Sequence, residues 1–315
     1  MEAASTAATK RSAEAISLRA PRRRWGEAII KALLVLAAII SVLTTTGIVL
    51  SLLEETINFF QEVPVGDYLF GTEWTPLFNP PSYGVLPLVL ATFIVSLIGM
   101  VVAVPLGLGA AIYLSEYARP SVRKTIKPIL ELLAGVPTIV FGYFALTFFT
   151  PEILRGLFGN DVQIFNGLSA GIIVGFLIIP TIASISEDAM TAVPASLREG
   201  AFGLGGSKLQ VTLRVVFPAA LSGIVASVVL GLSRAVGETM VVLIAAGQQP
   251  QWGVNVFNPM ETMTTFIGAT GKGDISTGSL EYKTIFAVGM TLFVITLIMN
   301  LFSIRFVRKY RQVYE

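Results

Sequence analysis

The 315-residue chain contains no cysteine and no histidine. Disulfides, thiolate chemistry, the commonest zinc ligands and any Ser-His or Cys-His catalytic pair are thereby excluded. Charge is scarce as well. Only 13% of the residues are Asp, Glu, Lys or Arg, where a soluble domain carries about a quarter. The net charge of +2 gives no ground for a nucleic-acid partner. A phosphate loop of the form G-x-x-x-x-G-K-[ST] is also missing: in the nearest lookalike, Gly268 to Gly273, Lys272 is followed by Gly273 rather than Ser or Thr. Any ATP-driven work must therefore draw on another chain.

What the chain has in excess is apolar sequence, 54% of residues with a mean hydropathy of +0.75. Runs of about twenty apolar residues recur, each long enough to cross about 30 Å of hydrocarbon as a helix. The expected fold is all-α, a polytopic membrane protein with six transmembrane helices over about 28–53, 84–114, 126–149, 168–186, 218–246 and 282–306. Residues 1–27 read as a polar basic tail, disordered and ending in Arg22, Arg23 and Arg24. A twin-arginine or secretory signal is disfavoured, because the apolar run that follows is longer than an h-region and has no convincing cleavage site.

Lys and Arg sort to one side. The tail holds six, the 115–128 loop four, the 187–217 loop three and the C-terminal tail four, against none in 54–83 and one each in 150–167 (Arg155) and 247–281 (Lys272). By the positive-inside rule both termini and the 187–217 loop lie in the cytoplasm of a multi-pass protein of the cell membrane. The first external loop, Glu54 to Tyr83, carries acidic residues with Tyr68 and Trp74. It reads either as solvated chain with interfacial aromatics or as a docking site for an external partner. Pro105, Gly107 and Gly109, then Gly135 and Pro137, then Pro180, interrupt spans two, three and four, as in helices that line a bundle interior.

The stretch from Ser196 to Pro218 (SLREGAFGLGGSKLQVTLRVVFP) sets the rest in order. Ser196 with Glu199, and Ser207 with Gln210, have capping-box spacing. Gly203, Gly205 and Gly206 between them suit a stop and a turn. Two short capped helices at a glycine corner are expected. Past Pro218, Gly223, Ser227 and Gly231 form a small-residue stripe that lets another helix approach. The stripe leads to Arg234 and Glu238, charges well inside an apolar segment, which cost at least ~2.5 kcal/mol each on insertion scales. Two readings stand: an i,i+4 ion pair, or a site on a transport path where the arginine meets an anion.

Glu199, Gly200 and Ala201, then Gly205 and Pro218 at the correct gaps, resemble the E-A-A-x3-G-x9-I-x-L-P loop of ABC importer permeases; Gly200, Val215 and Phe217 depart conservatively. SRAVGETM, with LLAGVPTIVFGY, is similar to phosphate-specific transport (Pst) permeases, closer to the PstC type than to PstA. That resemblance implies a type I importer bundle and a non-enzymatic transport subunit for inorganic phosphate. It implies a heterodimer with a PstA-like permease, two PstB-like ATPases that carry ATP and Mg, and a PstS-like external binding protein. It implies no cofactor on this chain, a docking role in an ATPase cleft for the 187–217 loop, and a role in phosphate passage for Arg234 and Glu238. Beside it, Glu199 keeps its alternative role as a cap, and Gly205 as a helix C-cap. Another oxyanion or small solute, and an ion-gradient-driven transporter, remain as alternatives, the latter opposed by the loop register. Pro218 begins the helix that carries Arg234 and Glu238, so loop and charged pair form the two ends of one lever if that helix moves as a rigid body.

Overall fold

A computed structural model describes residues 25–273 and 275–310. The expected basic tail lies outside the described residues up to residue 24. Two compact units are distinguished, Met1–Ser51 and Leu52–Glu315. Of the first, the described part is the apolar stretch of α1 (Trp25–Glu62), which continues into the second.

The second unit is helical throughout its described residues except for connecting segments and one isolated bridge between Trp74 and Tyr83. After α1 come α2 (Val65–Phe70) and α3 (Leu86–Ile112), which ends in a π-helical turn, Tyr113–Tyr117. Then follow α4 (Pro120–Ala134), α5 (Thr138–Phe144, carried on as a π-helix through Ala145–Leu154) and α6 (Gly167–Thr191). The short α7 (Ala195–Gly203) and α8 (Lys208–Val211, continued to Ala219) lead into α9 (Leu221–Val236) and α10 (Met240–Ala245). Last are α11 (Met263–Thr270) and α12 (Leu280–Tyr310). Among the described residues four helices are long and apolar enough to cross a membrane, and up to six spans result if each of two bent pairs counts as one.

Those bends depart from the sequence expectation. The segment expected as one span over 126–149 turns by 85° between α4 and the helix that begins at Thr138, because Gly135 ends α4 and Pro137 sits at the next N-cap. By contrast α3 and α6 run continuously through Pro105 and Pro180. The segment expected as one helix over 218–246 is bent by 72° at Ala220 and broken again at Gly237–Thr239.

Packing centres on α3 against α6, where glycine brings the two backbones together. A Cβ on Gly175 would lie 2.8 Å from the Gly99 carbonyl oxygen and 2.9 Å from Val102 Cβ, and one on Gly171 would lie 2.7 Å from Ile98 Cβ. Val95, Ile173, Val174, Leu177 and Val241 are buried around this contact. A second, aromatic cluster joins the ends of α1, α3, α11 and α12. In it Tyr68 packs edge-on at 5.5 Å against Phe59 and Trp74 at 4.9 Å against Phe266, and the Tyr68 hydroxyl hydrogen-bonds Thr291 at 2.8 Å. Tyr68 and Trp74 of the expected first external loop are therefore structural.

An ionic contact ties α4 to α6. Glu187 is fully buried; Arg123 pairs with it, Lys127 donates to it at 2.7 Å and the Thr191 hydroxyl at 3.2 Å, while Lys127 also reaches Asp188. The i,i+4 spacing of Arg123 and Lys127 puts both cations on one face of α4. That pairing compensates a carboxylate that could not otherwise be buried.

Three outcomes follow for purified protein in detergent. Gly171→Val, which overpacks the α3–α6 contact, should destabilise by about 1–3 kcal/mol in a denaturant titration. Gly109→Ala, whose Cβ meets nothing within 4 Å, should leave the midpoint within error. Glu187→Gln leaves Arg123, about a third exposed, without its ion pair while Lys127 keeps Asp188, so about 2 kcal/mol is expected, below the figure for a fully buried pair.

Candidate functional site

The helix–turn–helix between α6 and α9 forms as two short helices, with one cap where the spacing places it. Ser207 and Gln210 make a full capping box: the Ser207 N–H donates to Gln210 Oε1 at 2.9 Å, and the Gln210 N–H donates to Ser207 Oγ at 3.4 Å. The Ser196–Glu199 box is absent. Pro194, held near φ −55° and ψ 136°, starts the helix at Ala195, so that Ser196 falls inside the first turn. Glu199 is exposed and makes no side-chain hydrogen bond or ion pair among the described residues, so its capping role is withdrawn. The corner turns on Gly205, at φ +82°, where a side chain would be strained. Next to it the Gly206 N–H closes back on the Ala201 carbonyl at 3.1 Å.

Gly200, Gly205 and Pro218 are exposed and Ala201 is half-buried. The outer rim is apolar, with Phe202, Leu209 and Leu213 exposed and Leu204 at the tip 92% exposed. The inner side rests on a buried cluster of Ala111 from α3, Met190 from α6, Val211, Val216 and Ile224. An apolar tip thus stands outward on an apolar seat that α3, α6 and α9 carry.

Two cations that the sequence showed only as topology markers bind this element to the end of α3. Arg198 donates to the Val193 and Met190 carbonyls, each at 2.6 Å, and to Glu116 at 3.1 Å. Lys208 sits 4.9 Å from the centre of the Tyr117 ring. Glu116 and Tyr117 are neighbours on the π-turn, so α7 and α8 each hold it by one cationic contact. Only the identity of the two basic residues signalled this; their partner lies some 80 residues away in the chain for Arg198.

The small-residue stripe on α9 faces α6. The Ser186 and Ser227 hydroxyls are 2.7 Å apart, and a Cβ on Gly231 would lie 3.0 Å from Ile178. Half-buried on the same side in the last turn, Arg234 donates to Thr181 Oγ1 at 3.1 Å. No ion pair joins it to Glu238, because the helix ends at Val236 and the i,i+4 geometry is lost. Glu238 is 9% exposed; its carboxylate accepts from the Val241 N–H at 3.2 Å, and its carbonyl accepts from Thr264 Oγ1 at 2.7 Å. Among the described residues, therefore, the guanidinium has a neutral hydroxyl as its side-chain partner, and four of its five N–H donors are uncommitted. No group of three or more acidic residues that could hold a metal occurs among the described residues.

Comparison with known proteins bears on both places. The family model described as "Binding-protein-dependent transport system inner membrane component" matches residues 103–312. A "Probable ABC transporter permease protein YqgH" of Bacillus subtilis is 35% identical over 78% of this chain and 79% of its own length. A "Phosphate transport system permease protein PstC" of Haemophilus influenzae is 32% identical over 91% of this chain and 95% of its own. Among solved structures, a bacterial alginate ABC transporter chain aligns with a TM-score of 0.66 at 16% identity over 93% of this chain and all of its own. A chain of the MetNI methionine ABC transporter aligns with 0.53 at 20% over 73% and 95%. At these identities the structures speak for the fold alone, the helical bundle of an ABC importer permease. The residue pattern of the loop, its helix–turn–helix geometry and these relatives agree: the chain belongs to the family of inner-membrane permease subunits of binding-protein-dependent ABC importers, among the PstC-type members, and is a transport subunit rather than an enzyme.

Proposed function

We propose that this subunit passes inorganic phosphate into the cell by alternating access, driven by ATP hydrolysis on a separate chain. The reading places six spans in the membrane, with each bent pair counted as one, and both termini and the loop of α7 and α8 on the cytoplasmic side. A second, PstA-like permease would complete the pathway, two PstB-like ATPases would receive the apolar tip around Leu204, and a PstS-like protein would deliver phosphate from outside. The substrate follows the phosphate transport for which the PstC relatives are named.

The observation that carries the reading is Arg234. A guanidinium in a transmembrane segment, with no carboxylate partner among the described residues, is a charge held ready for a mobile anion. Its planar fork binds a phosphate oxygen pair bidentately and stays protonated in apolar surroundings. Glu238, in the break beyond it, sets the start of α10 and keeps a carboxylate beside the proposed path. Glu199, Gly200, Ala201, Gly205 and Pro218 are assigned to the ATPase-facing loop, with Glu199 free to meet the partner.

Arg234→Gln should lower phosphate uptake on the order of a hundredfold with the complex assembled in normal amount, and Arg234→Lys should retain part of it. Unchanged uptake by the glutamine variant at normal expression overturns the role. Labelled phosphate uptake challenged with sulfate and molybdate tests the substrate: equal competition by either makes this a general oxyanion permease. For the loop, Arg198→Gln releases three hydrogen bonds that hold α7 to α6 and the α3 turn. ATP hydrolysed per phosphate imported by the reconstituted complex should then rise several-fold, whereas a merely structural role would lower the yield of complex and leave that ratio alone.

A further inference from the structure

Glu261 stands just before α11, next to the Thr262 cap. It is 6% exposed and has no hydrogen bond or ion pair among the described residues. Burial pushes its carboxyl up to about 7. It lines a cavity of about 260 Å³ whose walls include Trp74, Leu77 and Phe78 from the stretch after α2, Phe266 of α11, and Ile275. Leu77 and Phe78 form an apolar rim, 56% and 73% exposed. Lys272, the nearest basic residue along the chain, is exposed and makes no ion pair with Glu261.

The combination is specific in its chemistry. A carboxylate withdrawn from water needs a cation or a set of donors, and the described residues supply neither. Aromatic faces beside it attract a cation through their quadrupoles, and aliphatic walls accept the methylene stem that a lysine or arginine buries behind its charged head. A phosphate ion would be repelled there while the carboxyl is ionised. The walls come not from the spans but from the connecting stretches 54–83 and 247–281, the part of the chain that a protein docking from outside meets first.

We infer that this cavity is a socket for one lysine or arginine side chain of the external binding protein on which the family depends. The proposal rests on the preceding reading, which places the 54–83 and 247–281 stretches on the outer side. It also accounts for the rigid, aromatic-braced first loop, because Trp74 is anchored on Phe266 and the rim is thereby presented in a fixed position relative to the carboxylate. Glu261 thus sets the affinity for the partner and takes no part in moving the anion.

The test uses the whole permease–ATPase complex in liposomes, with the binding protein of the same system titrated from outside. Glu261→Gln should raise the half-saturating concentration of binding protein about tenfold, with the maximal import rate and the ATPase rate in its absence unchanged. Glu261→Lys should raise it further, and one Lys→Glu or Arg→Glu change on the binding protein should restore it. Phe78→Ala, at the exposed rim, should shift the same constant in a variant that leaves the core untouched. Unchanged half-saturation in Glu261→Gln and Phe78→Ala overturns the socket. So does loss of the second permease subunit from the Glu261→Gln complex, which would make that subunit the occupant, or a dependence on phosphatidylethanolamine content alone, which would make it a lipid. Direct binding of the binding protein to the liposomes reads the socket even if the complex proves to carry a solute other than phosphate.

Discussion

The close approach of α3 to α6 is the constraint on which the remaining contacts depend. In hydrocarbon, helices gain nothing by hiding apolar side chains from lipid, so association rests on close packing and on hydrogen bonds. Here glycine at 99, 171 and 175 removes the side chains that would keep the two backbones apart. With α6 held on α3, three regions acquire fixed positions: the Glu187 carboxylate at its end, the Thr181 hydroxyl that meets Arg234, and the N-terminus. At that N-terminus Asn166 caps the helix and the Asn166, Gly167 and Leu168 N–H groups donate to the carbonyls of Ala245, Asn258 and Val256.

Much of this was legible in the residues. Apolar run length announced the helices, and the S-x-x-Q spacing placed Ser207 at a real cap. The stripe of Gly223, Ser227 and Gly231 indicated a close helix contact that the Ser186–Ser227 hydrogen bond makes concrete. Patterns of this kind are legible because the residues that compose them recur within four positions of one another. The misses have two causes. Ser196 has the right spacing for a cap but lost the position to Pro194, whose fixed φ decides where a helix can begin. Arg198 and Lys208 find their partners on a turn distant in the chain, and Glu187 is compensated from α4. None of these pairings has a spacing from which it could be read.

The broken helices show a further limit of periodicity. Residues 218–246 dip in hydropathy at Ser233–Thr239, where Arg234, Gly237, Glu238 and Thr239 fall, but a dip of that kind marks polar side chains and does not by itself say that α9 and α10 are separate helices. The break at Gly237–Thr239 is stabilised from outside, by the Thr264 hydroxyl on the Glu238 carbonyl and by the Glu238 carboxylate on the Val241 N–H. Freed backbone groups within a bilayer need such partners, and α11 and the Glu238 side chain supply them. The same break removes the geometry for an Arg234–Glu238 ion pair and leaves the arginine uncommitted.

The 72° bend at Ala220 changes how force can travel between the loop and Arg234. A straight rod would slide along its own axis when pushed from the cytoplasmic end. An angled pair of arms behaves as a bell crank: a push along the Lys208–Ala219 arm arrives mainly across the Leu221–Val236 arm. Such a push swings α9 sideways against its seat on α6, where glycine and serine offer little side chain to obstruct it. If α9 walls the proposed path, sideways swing rather than a piston stroke is the displacement that opens one mouth of that path while narrowing the other.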